Sequence, residues 1–374
     1  MRTPIKFHLW NLPDDIYILL KSDFRERFFQ KLYGYFGNRN RYALEMQLDP
    51  STIREYHKGF FTKNSRRYTQ YIPNKIIKKS LPFLKKQFTK KIESNVLALR
   101  SRAGIELQNP ILPFKENTSL YRTAAHMICD GSASKGKTPY YANICKELID
   151  EFRLDLSTFG KMKFNEKKYH VQRISFPKVI TDILAHILNV QFSYPDRLPS
   201  VLFSASKKCK RAFLRAMFDD EGTVSTNIGI CIHNEEIILS IKDLLLELGI
   251  HTGTINRASY RTRKGIKIRL GLNISVKSAK SFKKLIGFSH PIKSKNLNIL
   301  IETWERKIYE RTRPVEDIDR IILNLLKKKP CTTLYIAQQL KLTIAGTYFH
   351  LSRLLSENKI RRTGFKNKAI WQRP

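Results

Sequence analysis

Two segments of this chain share one construction, and the repetition limits the folds that the chain can adopt. Each is an apolar, helix-like run that ends in an acid followed by glycine: residues 123–131 end in Asp130-Gly131, and residues 213–222 end in Glu221-Gly222. Alanines lie within both runs, and small side chains let two helix backbones approach closely. A glycine after the acid predicts a helix that ends in a left-handed conformation and turns into a strand. We therefore expect two related units whose helices pack side by side and bring their acids together.

The elements predicted after the second segment form a regular series. In residues 228–232 apolar side chains alternate with others, a pattern that is typical of a half-buried strand. Residues 237–248 have their apolar side chains on one face of a predicted helix. A hairpin is predicted over 252–260 and 266–276, with the apolar side chains of its second strand facing one way. A helix is predicted over 278–286.

The same series is predicted after the first segment. A strand over 140–144 precedes a helix over 144–152, a hairpin over 158–164 and 169–176, and a helix over 180–188. Two copies of one unit at this spacing indicate an internal duplication. The sequence thus predicts an α+β fold, a duplicated αββαββα unit with two antiparallel sheets.

The charge of the chain points to a polyanionic partner. Its 374 residues include 69 Lys and Arg against 32 Asp and Glu, a formal net charge of +37. Aromatic residues make up 11%, which favours a folded core over a disordered basic tail. Basic and amide side chains in the second hairpin are predicted to contact DNA, although a solvated strand face is the alternative. They are Lys267, Arg269, Asn273, Arg257, Arg261 and Arg263.

Over residues 118–305 the chain resembles the LAGLIDADG homing endonucleases in their single-chain, two-repeat form. Residues 214–222 match the second motif well, and residues 123–131 match the first loosely. In the first motif Ile128 stands where an earlier acid is often found, and a histidine replaces a usual apolar residue. Residues 287–297 are similar to the segment that closes this unit in intein-type members.

The resemblance implies a site and a reaction. The motif helices would form the central interface, and each sheet would form a saddle in the DNA major groove. Asp130 and Glu221 would be the catalytic acids and would share two or more Mg²⁺ ions. Asp219 and Asp220 are interpreted as capping or local acids. Lys293 is the candidate for the basic catalytic residue, with a solvated lysine as the alternative. The implied partner is double-stranded DNA, cut on both strands by a monomer with internal pseudo-two-fold symmetry.

Residues 1–64 are predicted to form a helix-turn-helix-like domain. A helix over 24–36 is followed by a short one over 42–48 and by a third that Asp49 or Ser51 caps, with Pro50 in its first turn. Packing of three helices without DNA is equally open. Residues 65–117 are predicted to be a basic connector of amphipathic helices. The exposed DNA-reading face of the third helix would carry Arg54, His57 and Lys58.

Residues 313–374 are predicted to form a winged helix, after repeats at 118–200 and 201–312. Three helical runs precede a basic hairpin whose wing tip would be residues 364–368. A winged helix can also bind protein, so its partner stays open. Its predicted DNA contacts are Thr347, Tyr348, His350, Arg353, Lys366 and Lys368.

Other chemistry has little support in the sequence. The five cysteines show no CxxC pairing, which argues against a zinc cluster and suits a reducing cytoplasm. We find neither a nucleotide-binding P-loop nor an apolar run long enough for a membrane span. Three hypotheses remain: a metal-dependent, sequence-specific DNA endonuclease, a DNA-binding transcriptional regulator that has lost cleavage, and an RNA-binding protein.

Overall fold

The chain divides into two compact units, Met1–Phe213 and Leu214–Pro374, with the boundary inside one helix. The computed structural model describes residues 5–58, 60–62, 67–69, 71–102, 104–134, 136–168, 170–262, 265–305, 314–364 and 369–374. In this described part no helix is long and apolar enough to cross a membrane.

The first unit begins with a mixture of short strands and helices. Local chemistry sets several of the helix starts: Asp49 Oδ1, for example, accepts a hydrogen bond from the backbone N–H of Ser51 at 2.7 Å, as predicted for a cap at this position. The elements are β1 (Lys6–Phe7), β2 (Tyr17–Leu20), α1 (Ser22–Phe36), α2 (Arg39–Glu45), α3 (Pro50–Lys58), β3 (Phe60–Thr62), β4 (Arg67–Thr69), β5 (Tyr71–Pro73), α4 (Asn74–Ser80), α5 (Lys86–Thr89), β6 (Val96–Arg100), β7 (Leu107–Gln108) and β8 (Phe114–Lys115).

The first copy of the repeat completes this unit. Its leading helix is capped by Asn117, whose side chain accepts a hydrogen bond from the N–H of Leu120 at 2.8 Å. The elements are α6 (Thr118–Cys129), β9 (Gly131–Ser132), β10 (Tyr140–Asn143), α7 (Lys146–Ser157), β11 (Lys161–Met162), β12 (Asn165–Lys168), β13 (Gln172–Ser175), α8 (Lys178–Leu188) and α9 (Ser200–Phe203).

The second copy and a C-terminal module follow. The helix α10 contains the boundary between the two units. The elements are α10 (Lys207–Glu221), β14 (Gly222–Val224), β15 (Ile228–Ile232), α11 (Glu235–Glu247), β16 (Asn256–Thr262), β17 (Gly265–Asn273), α12 (Ala279–Leu285), α13 (Pro291–Glu305), α14 (Val315–Lys328), β18 (Cys331–Thr332), α15 (Thr333–Leu340), α16 (Ile344–Ser356), β19 (Arg361–Thr363) and β20 (Ile370–Gln372); 3-10 turns occur at Leu9–Asn11, Leu81–Phe83, Glu93–Asn95 and Val276–Ser278.

The two repeats have the same sheet topology. The first sheet has the order β12-β13-β10-β9 and the second has the order β16-β17-β15-β14, so that in both the strand after the acid-tipped helix is at an edge. Strand pairing is antiparallel throughout. The predicted α+β fold with a duplicated αββαββα unit is confirmed.

The hairpin of the first repeat lies further along the chain than the sequence predicted. Residues 158–160 close α7, and β11 pairs with β7 in another sheet, so residues 158–164 do not supply the first arm. The hairpin instead joins β12 to β13.

The predicted apolar face of the second hairpin is buried only in part. Leu270 and Leu272 are buried, but Ile266 is 76% exposed and Ile268 is 53% exposed. The reason is that β15 pairs with β17 only from Leu270 onward, so the earlier part of β17 pairs with β16 alone and projects from the unit.

The amphipathic helices predicted in residues 65–117 are present only as two short ones, α4, in which Ile76 and Ile77 are buried, and α5. The remaining described residues of this range do not form a helical connector. They contribute strands to a five-stranded sheet with the order β11-β7-β6-β2-β5, which also takes one strand from residues 1–64 and one from the first repeat. Apolar side chains of β6 are buried on this sheet.

The C-terminal module has the element order predicted for a winged helix. Three helices precede the last two strands, and β20 lies between β18 and β19 in a three-stranded sheet. Its core surrounds the fully buried Trp371, with Ile322, Ile336, Leu351 and Leu354 from the three helices.

The two motif glycines are required for a reason other than the one predicted. Neither Gly131 nor Gly222 has a positive φ, so the expected left-handed helix ends are wrong. A Cβ at Gly131 would lie closer than 3.0 Å to the backbone of Met127, and a Cβ at Gly222 closer than 3.0 Å to the backbone of Phe218. In both copies the strand turns back so tightly that only glycine fits against the residue four positions earlier.

Gly131→Ala and Gly222→Ala are each expected to lower the free energy of unfolding by about 1–3 kcal/mol, because the new methyl group must displace backbone. Urea unfolding of the full chain measures this. Gly34→Ala is the matched control, since nothing lies within 4 Å of its added Cβ and it stands inside α1; it is expected to stabilise by about 0.5–1 kcal/mol. Equal effects of the three substitutions would contradict the close-approach explanation.

Candidate acidic sites and basic surfaces

Glu221 is a partly desolvated carboxylate at the end of α10. Burial raises the pKa of Glu221, and the neighbouring carboxylate of Asp220 raises it further. The positive charges of Arg269 and Lys293, with His233, oppose that rise in the pKa. Because the ionised form is disfavoured by lost solvation, a bound cation would stabilise this carboxylate. The effect of a cation would be the same in sign as that of Arg269 and Lys293, which already favour the ionised form.

Asp219 joins α10 to α13. Its buried carboxylate accepts hydrogen bonds from the backbone N–H groups of Ser289 at 3.1 Å and His290 at 2.9 Å, immediately before α13. A carboxylate at this position satisfies N–H groups at the start of a helix. This agrees with its interpretation as a capping acid.

Lys293 makes the reciprocal connection from α13 to α10. Its Nζ donates to the backbone carbonyls of Phe218 and Asp220, both at 3.2 Å, and to that of Asp219. A lysine amine placed on the last carbonyls of a helix is a C-terminal cap. Lys293 is thus half-buried beside Glu221 rather than a solvated lysine, and its catalytic role stays a prediction.

Asp130 has a different setting at the end of α6. Its side chain is exposed, and its Oδ2 accepts a hydrogen bond from Asn143 Nδ2 at 3.2 Å. Asn143 is itself fixed, since the same amide contacts the Tyr141 hydroxyl at 3.1 Å and its Oδ1 accepts from the N–H of Cys145 at 3.0 Å. Sequence reasoning missed Asn143, although an asparagine between a strand and a helix start is a recognisable signal.

The two acids belong to different units, and the residues around them are not equivalent. The position of Asp219 is taken by Ile128 in the first copy, so the carboxylate that caps α13 in the second unit has no counterpart at this position. The prediction that Asp130 and Glu221 share metal ions remains a prediction.

The exposed strands of the second sheet carry most of the predicted basic contacts. Lys267, Arg269, Arg261 and Arg257 are exposed, and Arg257 also forms an exposed ion pair with Glu235. Asn273 is partly buried and its side chain lies over the backbone opposite, at Gly229. Arg263 lies outside the described residues.

His233 is a further member of this surface that sequence reasoning missed. Its Nδ1 lies 2.7 Å from the carbonyl oxygen of Ile268, and its Nε2 lies 3.2 Å from the hydroxyl of Tyr260. The histidine therefore ties the end of β15 to the hairpin, on the side where it influences Glu221.

The predicted reading face of α3 is only partly correct. Arg54 is exposed, but His57 is buried, with its Nε2 2.8 Å from Glu26 Oε2 and its Nδ1 3.3 Å from the Tyr33 hydroxyl. Burial lowers the pKa of His57, although Glu26 opposes that shift. His57 thus holds α3 against α1 instead of facing DNA.

The predicted reading face of α16 is also largely wrong. Thr347 is fully buried, and His350 is buried with its Nδ1 2.9 Å from Asp319 Oδ1. Arg353 pairs with the same Asp319 carboxylate. His350 and Arg353 are turned inward because they contact Asp319 on α14. Among the predicted contacts on α16, Tyr348 faces solvent and is 41% exposed.

The two wing lysines, Lys366 and Lys368, lie outside the described residues.

Three proteins of known sequence match part of the chain. Two are described as probable translation initiation factor IF-2, from Thermococcus kodakarensis (32% identical, 55% of this chain and 18% of that protein) and Methanocaldococcus jannaschii (29%, 40% and 14%). The third, a glutamine–fructose-6-phosphate aminotransferase of M. jannaschii, is 24% identical over 54% of this chain and 19% of that protein. The chain therefore spans less than a fifth of the length of these relatives.

Solved structures give looser likenesses. Mesophilic variants of the homing endonuclease I-DmoI superpose with a TM-score of 0.32 and 16% identity, covering 46% of this chain and 97% of theirs. Full-length DUF199/WhiA from Thermatoga maritima superposes with a TM-score of 0.31 and 14% identity, covering 66% and 93%.

A family assignment comes from the second repeat. Residues 208–287 match the sequence model of the LAGLIDADG-like domain, from within α10 through α12. This range includes Glu221, Gly222 and the whole second sheet. Residues 208–287 therefore form a LAGLIDADG-like domain, and over this range the resemblance drawn from the second motif is confirmed.

Proposed function

We propose that this chain is a sequence-specific endonuclease that hydrolyses both strands of double-stranded DNA with the help of divalent metal ions. One observation carries the proposal: both repeats have the same topology, and in both a helix ends in an acid that a sterically required glycine joins to an edge strand. Each acid therefore lies at the junction of a helix end and a sheet, and the second sheet carries exposed basic side chains that could contact DNA.

Asp130 and Glu221 are the residues that would hold the metal. Mg²⁺ is commonly bound by one or two carboxylates, with water and substrate phosphates as its other ligands. Both side chains supply hard oxygen ligands, and a bound cation would offset the desolvation that raises the pKa of Glu221. When bound, the ion would supply an activated water and stabilise the leaving oxygen.

The chain's own residues around Glu221 would position the acid and the DNA backbone. Asp219 and Lys293 fix the end of α10 through reciprocal hydrogen bonds with α13. The exposed Lys267 and Arg269 would attract backbone phosphates, and Arg269 also favours the ionised form of Glu221. In this proposal Lys293 adds positive charge beside the phosphate that is cut.

The relatives favour a role in genetic mobility. This chain matches both a translation factor and an aminotransferase, proteins of unrelated description, and each time over less than a fifth of their length. A segment shared by otherwise different proteins is typical of an inserted element. We therefore propose that the cleavage activity serves the movement of such an element.

A second candidate function is a DNA-binding transcriptional regulator without cleavage. The winged-helix topology of the C-terminal module favours it, because such a module is not needed for hydrolysis. The two functions differ in one result: the regulator binds a selected duplex and leaves it intact in Mg²⁺.

Asp130→Asn and Glu221→Gln are each expected to lower the single-turnover rate of DNA cleavage by at least about 100-fold, because each removes a metal-binding charge. The target is first selected from a randomised duplex library, and bound and cut molecules are sequenced with and without Mg²⁺. Affinity for the selected duplex, measured without metal, should stay within a few-fold.

Glu236→Gln is the matched control for these substitutions. It removes one exposed carboxylate at the start of α11, outside both motifs in the sequence, and should leave the cleavage rate unchanged. Selective binding by the unaltered chain with intact DNA in Mg²⁺ would refute the endonuclease and support the regulator.

Lys293→Met tests whether this lysine is more than a helix cap. Loss of the cap is expected to lower the free energy of unfolding by about 1 kcal/mol, whereas loss of charge beside the cut phosphate should lower the cleavage rate by at least about tenfold in protein that is still folded. Asp219→Asn, which weakens the same connection without removing a positive charge, is the comparison. If Lys293→Met and Asp219→Asn lower the cleavage rate equally, Lys293 contributes only by capping α10 and not by its charge.

A further inference from the structure

A cleft in the second unit lies between the LAGLIDADG-like domain and the C-terminal module. Its volume is about 330 Å³, within the range of pockets that bind small molecules. The turn after β14 and a side chain of α13 form one side, and α15, α16 and β19 form the other. The lining residues are Val224, Ser225, Thr226, Asn296, Thr333, Leu334, Ile344, Tyr348 and Arg362.

The lining combines apolar surface with hydrogen-bonding groups. Leu334, Ile344 and the ring of Tyr348 are apolar, whereas Thr226 and Asn296 present a hydroxyl and an amide from the opposite side. Both an acceptor and donors are therefore available around an apolar space. This chemistry suits a flat heterocycle with polar edges, such as a nucleobase.

Tyr348 is held in a fixed orientation at this cleft. Its ring meets that of the buried Trp371 edge to face, with centroids 6.0 Å apart, and its hydroxyl lies 3.3 Å from Arg362 Nη1. The guanidinium of Arg362 in turn lies 5.6 Å from the Trp371 ring centroid. An oriented aromatic ring and an adjacent guanidinium are the groups that stack on a base and pair with its phosphate.

The C-terminal module is better suited to an unpaired strand than to reading a duplex. Its sequence from 314 to 374 has twelve Lys and Arg against four Asp and Glu, which favours a polyanion over a free nucleotide or an apolar peptide. The polar side chains expected to read base pairs, Thr347, His350 and Arg353, are turned inward toward the module's own core or Asp319. The outward face of α16 carries Tyr348 and Phe349 instead.

We propose that this cleft binds one unpaired nucleotide of a single DNA strand, with the base against Tyr348 and the phosphate at Arg362. The inference goes beyond the endonuclease function and does not depend on cleavage. The ligand of the C-terminal module would then be single-stranded DNA, such as that of an opened duplex or an overhang.

The test measures binding and the place of binding in the full-length chain. A short oligothymidylate carrying one 5-iododeoxyuridine is bound at high salt without metal, to limit non-specific attraction, and its affinity is measured by fluorescence anisotropy. Irradiation then joins the halogenated base to a neighbouring aromatic side chain, which mass spectrometry locates. All variants carry Asp130→Asn, so that a failure of the endonuclease proposal cannot affect the result.

Tyr348→Ala is expected to weaken binding of the oligothymidylate by roughly 5- to 100-fold, because stacking on one base contributes that much. Tyr348→Phe keeps the ring and should bind within about threefold of the parent. Asn296→Trp fills the cleft from α13 and should weaken binding as Tyr348→Ala does, which guards against a folding defect in α16. Phe349→Ala is the matched control, since Phe349 is 65% exposed on the same helix and does not line the cleft.

The expected result is a crosslink at Tyr348, together with weaker binding of the oligothymidylate by Tyr348→Ala and Asn296→Trp but not by the other variants. The proposal is overturned if Phe349→Ala weakens binding as much as Tyr348→Ala, or if the crosslink lies elsewhere in the chain. It is also overturned if a duplex of equal length competes as well as the single strand, or if thymidine monophosphate does, which would make a free nucleotide the ligand.

Discussion

The close approach of two backbone segments at the acid–glycine step determines how each repeat is built. At Gly222 the chain leaves α10 and enters β14 while lying directly against the backbone of Phe218, and Gly131 lies against Met127 in the same way. No side chain fits there, so the strand can begin at once without a connecting loop. This places the preceding acid at the corner between a helix and a sheet. Glu221 is partly removed from water there and interacts with Arg269 of β17, whereas Asp130 is exposed.

The two corners have become different in their chemistry. Around Glu221, burial and a second carboxylate disfavour ionisation, and the positive charges of Lys293 and Arg269 oppose that effect. Asp130 is exposed and is oriented by a neutral amide, that of Asn143. A duplicated fold thus supplies two acids that differ in solvation and in neighbouring charge.

The modules on either side of the repeats show why helix faces are hard to interpret from sequence alone. A polar residue on an amphipathic helix faces solvent unless the fold offers it a buried partner. The His57 ring contacts the side chains of Glu26 and Tyr33. His350 and Arg353 both contact the carboxylate of Asp319, so these polar side chains also turn inward. The resulting outward face of α16 is aromatic, and the basic character of the module comes from side chains around it.

The sequence by itself determined the repeat, the α+β class, the acid–glycine motifs and the preference for a polyanion. These depend on local periodicity and on charge, which are properties of the chain before it folds. Only the tertiary structure decided that Lys293 caps α10, that Asn143 orients Asp130, that β11 leaves the first hairpin for another sheet, and that Tyr348 lines a cleft. Each of these depends on which distant segments meet, and neither residue spacing nor composition records that.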